Sequence, residues 1–583
     1  MLRIFRNLSR RDTVCVLIAI GFIVLQVWLD LRMPDYMTEI TQLVQTPGNE
    51  ISQVVVAGLK MLGCALGSLA AAACVAVLVA KIATGFSADV RSAVYHKVMD
   101  FSKPEISSFS TASLITRTTN DITQVQLLII MGMQSVIKAP LLGTWAVIKI
   151  AGKDLSWTLA TGVAMGVLLT IAVVGIILML PKFQIVQELT DDLNRVTLEN
   201  LSGLRVIRAY NADDYQEEKF DKANTDLTDL NLFTGKVMAF VSPTISIILN
   251  GLSLSIYWIG AYLIDKAAQP DKLPIFSDMI VFTQYAMQVF MAFMMLIVML
   301  VIFPRAAISA KRVLAVLDTD IAVTDGEETC GMAGQEGTIE FRNVSFRYPG
   351  SAADVLHDIS FTAGKGETVA FIGATGSGKS TLVDLIPRFF DATEGEVLVN
   401  GRNVKEYTLE ALRGEIGYVS QRAVLFSGSV ESNVVMGESG EEPEGSLDRA
   451  LKIAQAEEFV SNMPEGVDSE VAQGGNNLSG GQKQRLSIAR AIYRNPDILI
   501  FDDSFSALDY KTDRQLRDEL DRSCADATRL IVAQRIGTIR DADRIIVLDE
   551  GEMVGCGTHS ELLNSCEVYR QIAYSQLTKE ELE

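Results

Sequence analysis

The sequence has few histidines, no paired cysteines and no excess of positive charge, and each of these features excludes a class of protein. The 583-residue chain has only three histidines, and its seven cysteines are odd in number, scattered and without a CxxC pair. This spacing predicts reduced cysteines and neither a disulfide framework nor a zinc site. The net charge of −20 excludes the basic face that nucleic-acid binding requires, so no nucleic-acid partner is expected.

Charged residues are also few, at 21% against 49% hydrophobic residues, which is too apolar for one soluble domain of this length. The apolar excess lies before residue 304. Five runs there are long enough to cross a bilayer, which takes about 20 residues in a helix: Thr13–Leu29, Met61–Ala80, Leu155–Pro181, Val237–Ile264 and Met279–Phe303.

A sixth span is predicted between Gln126 and Ile150, although Lys138 and Lys149 interrupt it. The start and two polar segments, Lys81–Gln126 and Lys182–Lys236, hold sixteen Lys/Arg, and the alternate loops hold five. The positive-inside rule accepts this distribution only with six spans and both termini in the cytoplasm. No convincing signal-peptide cleavage site follows the basic start, so the first span is expected to be retained in a multi-pass protein of the cell membrane.

The pattern changes after Phe303. An acidic, glycine-containing stretch is interpreted as a linker, and short β-rich runs then alternate with helical ones, as in an α/β domain. The predicted organisation is an all-α six-helix transmembrane domain over 1–317, a linker over 318–337 and an α/β nucleotide-binding domain over 338–583.

The stretch TVAFIGATGSGKSTLVDLI predicts a strand, a glycine-rich turn and a helix start. Gly373, Gly378, Lys379 and Ser380 fit GxxxxGK[ST], the phosphate-binding loop of P-loop NTPases. Backbone amides of such a loop face phosphate oxygens, the lysine reaches the β and γ phosphates, and the serine can hold Mg²⁺. The loop predicts a nucleotide site, with ATP as the expected ligand and these residues in contact: Gly373, Thr375, Gly376, Ser377, Gly378, Lys379, Ser380 and Thr381.

A second carboxylate for Mg²⁺ is expected at the end of a buried strand. The run DILIFDDSFSALD supplies Asp502 directly after four apolar residues, and a second aspartate, Asp503, follows it.

A third motif, LSGGQKQR from Leu478 to Arg485, resembles the signature of ATP-binding cassette (ABC) proteins. The resemblance extends to Tyr348 as the aromatic that stacks on adenine, Gln421 as the lid-loop glutamine and Mg²⁺ neighbour, and Asp509 as the D-loop aspartate. In this family ATP sites form between two subunits. Ser479, Gly480, Gly481 and Gln482 are therefore expected to face the partner's ATP.

The membrane half resembles six-span ABC exporter half-transporters through Ala112–Gln126 and Glu199–Asp213. The resemblance implies short coupling helices around Phe101–Phe109 and Ala209–Tyr215 that dock on nucleotide-binding domains. It also implies ATP-driven export.

Two positions of the expected hydrolytic site depart from the family pattern. Asp503 stands where a catalytic glutamate is usual, and Gln534 where a histidine usually steadies the γ-phosphate. An aspartate carboxylate falls about 1.5 Å short of a glutamate one, and glutamine cannot carry a positive charge. A small backbone shift or a tolerated substitution are the alternatives. The preferred interpretation is a site that binds ATP but hydrolyses it slowly.

This interpretation predicts an unlike partner, a second half-transporter with the glutamate and histidine, because a homodimer would have two weakened sites. A further departure is Gln473, at a position near the signature where exporters usually have glutamate. This departure puts communication between the nucleotide-binding domain and the coupling helices in doubt. The rival hypothesis is an ATP-sensing regulatory subunit that does not pump.

The sixth span suggests, but does not identify, the substrate. Met287, Met291 and Met295 recur every four residues and so lie on one face of a helix. They either pack against other helices or form an adaptable lining for a hydrophobic or amphipathic drug, lipid or peptide. Lys138 is the ionisable residue deepest in a predicted span, which makes it a candidate substrate contact. The alternative is a basic residue that snorkels or lies at the inner cavity mouth.

Overall fold

The computed structural model describes residue 3 and residues 10–45, 49–151, 155–437 and 446–577. Its contacts divide the chain into two units. The first unit comprises Met1–Met99 and Ala112–Asp318, and the second comprises Asp100–Thr111 and Thr319–Glu583. Residues 100–111 therefore belong with the second unit although they interrupt the first in sequence.

The first half of the chain is helical. Its helices are α1 (Arg10–Gln45), α2 (Ile51–Met99), α3 (Lys103–Ser108), α4 (Thr111–Thr118), α5 (Asn120–Gly132), α6 (Ala139–Ala151), α7 (Leu155–Ser202), α8 (Leu204–Tyr210), α9 (Asp213–Lys266) and α10 (Lys272–Leu317). Within the part of the chain that the structure describes, six stretches are long and apolar enough to cross a membrane. Helices satisfy every backbone polar group within the segment, which lipid requires. The six predicted membrane helices are confirmed, including the third, which runs over Thr111–Ala151.

The third span contains a widened turn. Residues Met133–Lys138 form a π-helix between α5 and α6. Pro140 follows directly in α6 and has no N–H, so regular α-helical bonding cannot continue through it. The widened turn absorbs this break and gives Lys138 the last position of the π-helix.

Only one of the two expected coupling helices lies where the resemblance placed it. Helix α3 falls within 101–109, whereas 209–215 holds the end of α8, a left-handed Asn211 with φ of 49° and the start of α9. The prediction of a separate helix over 209–215 is wrong, since Asn211 ends α8 as a left-handed cap.

The second unit is an α/β domain. Its strands are β1 (Ile339–Phe346), β2 (Leu356–Ala363), β3 (Thr368–Ile372), β4 (Glu394–Val399), β5 (Arg402–Asn403), β6 (Ile416–Val419), β7 (Gly428–Ser429), β8 (Glu470–Val471), β9 (Ile498–Asp502), β10 (Thr528–Val532), β11 (Arg544–Asp549) and β12 (Glu552–Gly557). Its helices are α11 (Lys379–Asp384), α12 (Leu409–Gly414), α13 (Val430–Val434), α14 (Ser446–Ile453), α15 (Glu457–Ser461), α16 (Gly480–Tyr493), α17 (Tyr510–Ser523), α18 (Ile536–Ile539), α19 (His559–Ser565) and α20 (Glu567–Gln576).

The central sheet has the order β12-β11-β3-β10-β9-β6, and all its neighbours pair in parallel except β11 with β12. A second sheet has the order β2-β1-β4-β5. Strands β9 and β10 are buried at every position, as their continuous apolar runs predict for a covered parallel sheet.

The stretch interpreted as a linker makes backbone hydrogen bonds to the loops around β5. Gly326 donates to the Tyr407 carbonyl at 2.9 Å, and Met332 donates to the Asn400 carbonyl at 2.8 Å. A Cβ at Gly326 would lie 2.1 Å from the Glu406 oxygen, so only glycine fits there. This stretch packs along the α/β domain.

Candidate nucleotide-binding site

Three loops of the central sheet carry the candidate site. They follow β3, β9 and β10, which are consecutive neighbours in the parallel sheet. The carboxyl ends of parallel strands lie at the same edge of a sheet, where such folds bind ligands. The topology therefore brings together the phosphate loop at 373–378, the Asp502 and Asp503 pair and Gln534, which are far apart in sequence.

The phosphate loop depends on its glycines. Gly376 and Gly378 have φ of 88° and 93°, a left-handed conformation that favours glycine. A Cβ at Gly373 would lie 2.0 Å from the Leu548 carbonyl oxygen, which leaves no space for a side chain. Thr375 and Gly376 are exposed on the loop, whereas Ser377 is buried.

Lys379 opens α11 and bends back over this loop. Its Nζ donates to the carbonyls of Gly373 at 2.9 Å and Ala374 at 2.7 Å, and to Ser377 Oγ at 3.2 Å. Burial lowers the pKa of Lys379, and the nearby Asp503 and Asp502 oppose that shift. A cation held over a glycine-rich loop at the start of a helix suits the phosphates of a nucleotide.

Ser380 and Asp502 form the pair expected for Mg²⁺. Ser380 Oγ donates to Asp502 Oδ1 at 2.8 Å. Burial raises the pKa of Asp502, and the Ser380 hydrogen bond acts in the opposite direction. An adjacent hydroxyl and carboxylate at the base of a phosphate loop are the hard oxygen donors that Mg²⁺ takes beside a nucleotide. These residues fit the ion, which Ser380 and Asp502 would hold.

Asp503 is held by two neutral amides. Gln534 Nε2 donates to Asp503 Oδ2 at 2.9 Å, and Gln421 Nε2 donates to the same oxygen at 3.2 Å. The Asp503 backbone is left-handed, with φ of 46°, and the residue is 8% exposed. Burial raises the pKa of Asp503, and the Gln421 hydrogen bond is the largest opposing effect. The sequence marked these three residues, but nothing in it showed that they converge on one oxygen.

The backbone around Gln534 is held by hydrogen bonds from a neighbouring helix. Gln576, at the end of α20, donates from Nε2 to the Gln534 carbonyl at 2.7 Å, and its Oε1 accepts from the Ile536 amide at 2.9 Å. The last helix of the domain therefore holds the Gln534 loop in place.

Tyr348 contacts the helix that follows the phosphate loop. Its hydroxyl is 2.8 Å from Thr381 Oγ1. Its ring packs edge-on against Phe346 and Phe390, with centroid distances of 4.9 Å and 5.3 Å. Tyr348 is half-buried, so one part of its ring remains free for a base to stack on.

The signature residues begin α16. Ser479 Oγ accepts from the Gln482 amide at 3.3 Å, and Gln482 Oε1 accepts from the Ser479 amide at 2.8 Å, which is a capping box. Ser479 and Gly480 are exposed, and a Cβ at Gly480 would meet nothing within 4 Å. Asp509 caps α17 by accepting from the Thr512 amide at 3.0 Å, which lowers the pKa of Asp509. Gln473 begins an exposed 3₁₀ turn.

The candidate substrate contacts in the membrane domain are the methionines of α10 and Lys138, and their surroundings differ. Met287 and Met295 are half-buried, and Met291 is 57% exposed, so the methionines do not form one buried stripe. Lys138 pairs with Asp30 of α1, with Nζ 3.5 Å from Oδ2. Asp30 also accepts a hydrogen bond from Ser68, and Gln288 donates to its carbonyl at 3.3 Å.

A second charge pair lies further along the same helices. Lys149 Nζ is 2.8 Å from Asp35 Oδ2, and the Tyr285 hydroxyl donates to Asp35 Oδ1 at 2.6 Å. Sequence reasoning missed Asp30 and Asp35, since their partners lie more than 100 positions away. The signal was a pair of acids at one end of the first apolar run.

The comparisons with known proteins cover nearly the whole chain. Residues 356–506 match the family model described as ABC transporter, and residues 16–303 match that of the ABC transporter transmembrane region. An uncharacterized ABC transporter ATP-binding protein of Mycobacterium tuberculosis is 39% identical over 527 residues, which is 89% of this chain and 88% of that protein.

An ATP-dependent lipid A-core flippase of Pseudomonas aeruginosa is 32% identical over 484 residues, covering 83% of this chain and 79% of the flippase. Among solved structures, a bacterial Atm1-family ABC exporter with ATP bound superposes with a TM-score of 0.78 at 23% identity, covering 96% of this chain and 98% of that one. At this identity the likeness concerns the fold.

Proposed function

Because the chain belongs to the ABC transporter family, as a transmembrane domain fused to a nucleotide-binding domain, we propose that it is one subunit of an ATP-driven exporter whose own site binds ATP and hydrolyses it slowly. The observation that carries the proposal is the Asp503 carboxylate, held through one oxygen by the neutral side chains of Gln421 and Gln534.

The binding half of this site is complete. The amides of loop 373–378 and the Lys379 cation would hold the phosphates, Tyr348 would stack on the adenine, and Ser380, Asp502 and Gln421 would surround Mg²⁺. When bound, Mg²⁺ neutralises charge on the transferring phosphoryl group. Tyr348 follows β1 of the second sheet, and the other groups lie at the carboxyl edge of the central sheet.

The hydrolytic half is weak because of position. Burial raises the pKa of Asp503, which makes its carboxylate a stronger proton acceptor. Its reach is short, since an aspartate ends about 1.5 Å short of a glutamate, and a displacement of about 1 Å costs about a hundredfold in rate. Gln534 offers a hydrogen bond without the positive charge that would stabilise the transition state.

The intact signature supports a trans arrangement. Ser479 and Gly480 are exposed at the positive end of α16, where a partner's ATP would meet backbone amides. We propose that the partner is a second, non-identical half-transporter with its own glutamate and histidine, and that most hydrolysis occurs at the site where this signature faces the partner's phosphate loop.

The proposed setting is the cell membrane, with both termini in the cytoplasm and a hydrophobic or amphipathic substrate. The lipid A-core flippases among the relatives favour a lipid-like substrate. The spans support this class through half-buried Met287 and Met295, whose flexible thioethers adapt to varied apolar shapes.

Photolabelling with an azido-ATP analogue tests the nucleotide assignment in the assembled transporter. Label on this chain is expected to persist through many turnovers of the complex, and Lys379→Ala is expected to abolish it. The exposed Lys365 of the same domain, changed to alanine, is the matched control. Label that turns over as fast as the complex hydrolyses ATP would contradict slow hydrolysis here. ATP-dependent movement of a fluorescent lipid in vesicles would separate an exporter from an ATP-sensing regulatory subunit.

A further inference from the structure

Helix α3 is fastened to the α/β domain by a buried carboxylate. Glu105 is 6% exposed, and its Oε1 accepts from the Ala322 amide at 3.1 Å. Its Oε2 accepts from the Ser102 amide at 2.9 Å and so caps the helix. One carboxylate therefore both caps α3 and ties it to the chain at Ala322 of the same unit.

The first residue of α3 forms an ion pair with the phosphate-loop helix. Lys103 Nζ lies 2.5 Å from Asp384 Oδ2, and only 6% of the Asp384 side chain is exposed. Asp384 is the last residue of α11, the helix that begins at Lys379. A buried carboxylate needs a partner, and within the described residues the only cation in ion-pair contact with Asp384 is Lys103.

Asp384 also contacts the edge of the candidate site. The Tyr418 hydroxyl donates to Asp384 Oδ1 at 3.2 Å. Tyr418 lies in β6, and the loop that follows this strand carries Gln421, which donates to Asp503. The Lys103–Asp384 pair therefore borders the loop that brings Gln421 to the candidate site.

The same ammonium lies against the aromatic residues behind Tyr348. Lys103 Nζ is 5.6 Å from the ring centre of Phe389 and 5.5 Å from that of Phe390, within cation–π distance. Phe390 packs edge-on against Tyr348 at 5.3 Å. Through one side chain, α3 touches supports of both the phosphate side and the adenine side.

We infer that Lys103 is a positioning residue through which α3 sets the Mg²⁺-ATP affinity of this chain's own site, by compensating Asp384 and supporting the ring behind Tyr348. This inference rests on the proposed nucleotide site. Because coupling between sites is reciprocal, nucleotide binding must in turn stabilise the seated position of α3.

The test is Mg²⁺-ATP titration of full-length transporter carrying Lys103→Met, which keeps the length and apolar stem but removes the charge. Affinity at this chain's site is expected to fall about fivefold or more, the lower range of coupling between sites.

Three further variants keep the inference falsifiable. Lys103→Arg should keep the wild-type affinity, and Lys103→Met with Asp384→Asn should recover most of it, because neither charge is then left alone. Lys452→Met, at an exposed position on α14, is the charge-matched control. Unchanged affinity in Lys103→Met would overturn the inference, as would a double variant no better than the single. If Lys379→Ala also leaves binding unchanged, the nucleotide site itself is misassigned.

Discussion

The side-chain amide of Gln534 donates a hydrogen bond to the Asp503 carboxylate, with Nε2 2.9 Å from Oδ2. Gln421 donates to the same oxygen, so two loops of the domain converge on one carboxylate. The two departures from the family pattern are therefore in contact, and substitutions at 503 and 534 are expected to be non-additive.

Restoring both family residues should raise hydrolysis at this chain's own site. Asp503→Glu adds the missing methylene, and Gln534→His supplies a group that can carry charge. Base positioning is typically worth about 10² to 10⁴ in rate. The measurement is ATPase activity in a complex whose partner site has been inactivated. Each single substitution should give less than the pair, and a double variant that stays at background would mean the defect lies elsewhere.

The buried charge of Asp503 predicts a pH-dependent stability. Its raised pKa means that the ionised form is disfavoured in the folded state, a penalty that is absent below the ordinary pKa of about 3.9 and fully present above the raised one. Asp503→Asn keeps an oxygen for both amides and removes the charge. The melting temperature of nucleotide-free Asp503→Asn should therefore exceed wild type at pH 7.5, and the difference should shrink as the pH falls through the raised pKa towards the ordinary one.

The opposite trend, a gain that grows as the pH falls, would mean that ionised Asp503 stabilises the fold through Lys379. Asp509→Asn is the control, because its lowered pKa predicts a loss of stability at pH 7.5.

The Asp30–Lys138 pair predicts a double-mutant cycle in the membrane domain. The side chains are 20% and 15% exposed, so Lys138→Met leaves a largely buried carboxylate without its cation. Breaking a buried pair costs about 3 kcal/mol or more, whereas replacing both partners is often neutral. Thermal unfolding in detergent should show a clear loss for Lys138→Met and recovery when Asp30→Asn is added.

Lys60→Met provides the matched control. Lys60 lies 3.9 Å from Glu39, with both side chains about half exposed, and such pairs contribute at most about 1 kcal/mol. If Lys138→Met is as mild as Lys60→Met, the pair at Asp30 is not structural and Lys138 is free for another role.

The sequence predicted those features that depend on residues close together along the chain. The six spans, the phosphate loop and Asp502 were readable because each is a short run whose pattern dictates its own structure. The convergence of Gln421 and Gln534 on Asp503, the Lys138–Asp30 pair and the Lys103–Asp384 pair join residues 31 to 281 positions apart. No periodicity encodes such contacts, since they depend on how the helices and the parallel sheet pack.

The central claim is that this chain lends its signature to a competent partner site while its own site is slow, and steady-state ATPase of two variants in the assembled transporter tests it most directly. Gly480 is the sharper position for the signature variant, because a Cβ there meets open space, whereas at Gly481 it would lie 3.3 Å from the Ala507 oxygen. Gly480→Asp places an acid at a helix N-terminus, which favours the helix itself but repels a partner's phosphate.

Gly480→Asn, uncharged and of the same size, is the control. The account predicts that Gly480→Asp nearly abolishes ATPase, Gly480→Asn reduces it less, and Asp503→Ala retains a substantial fraction. The reverse ranking, with Asp503→Ala inactive and Gly480→Asp active, would place the main hydrolytic site in this chain and contradict the account.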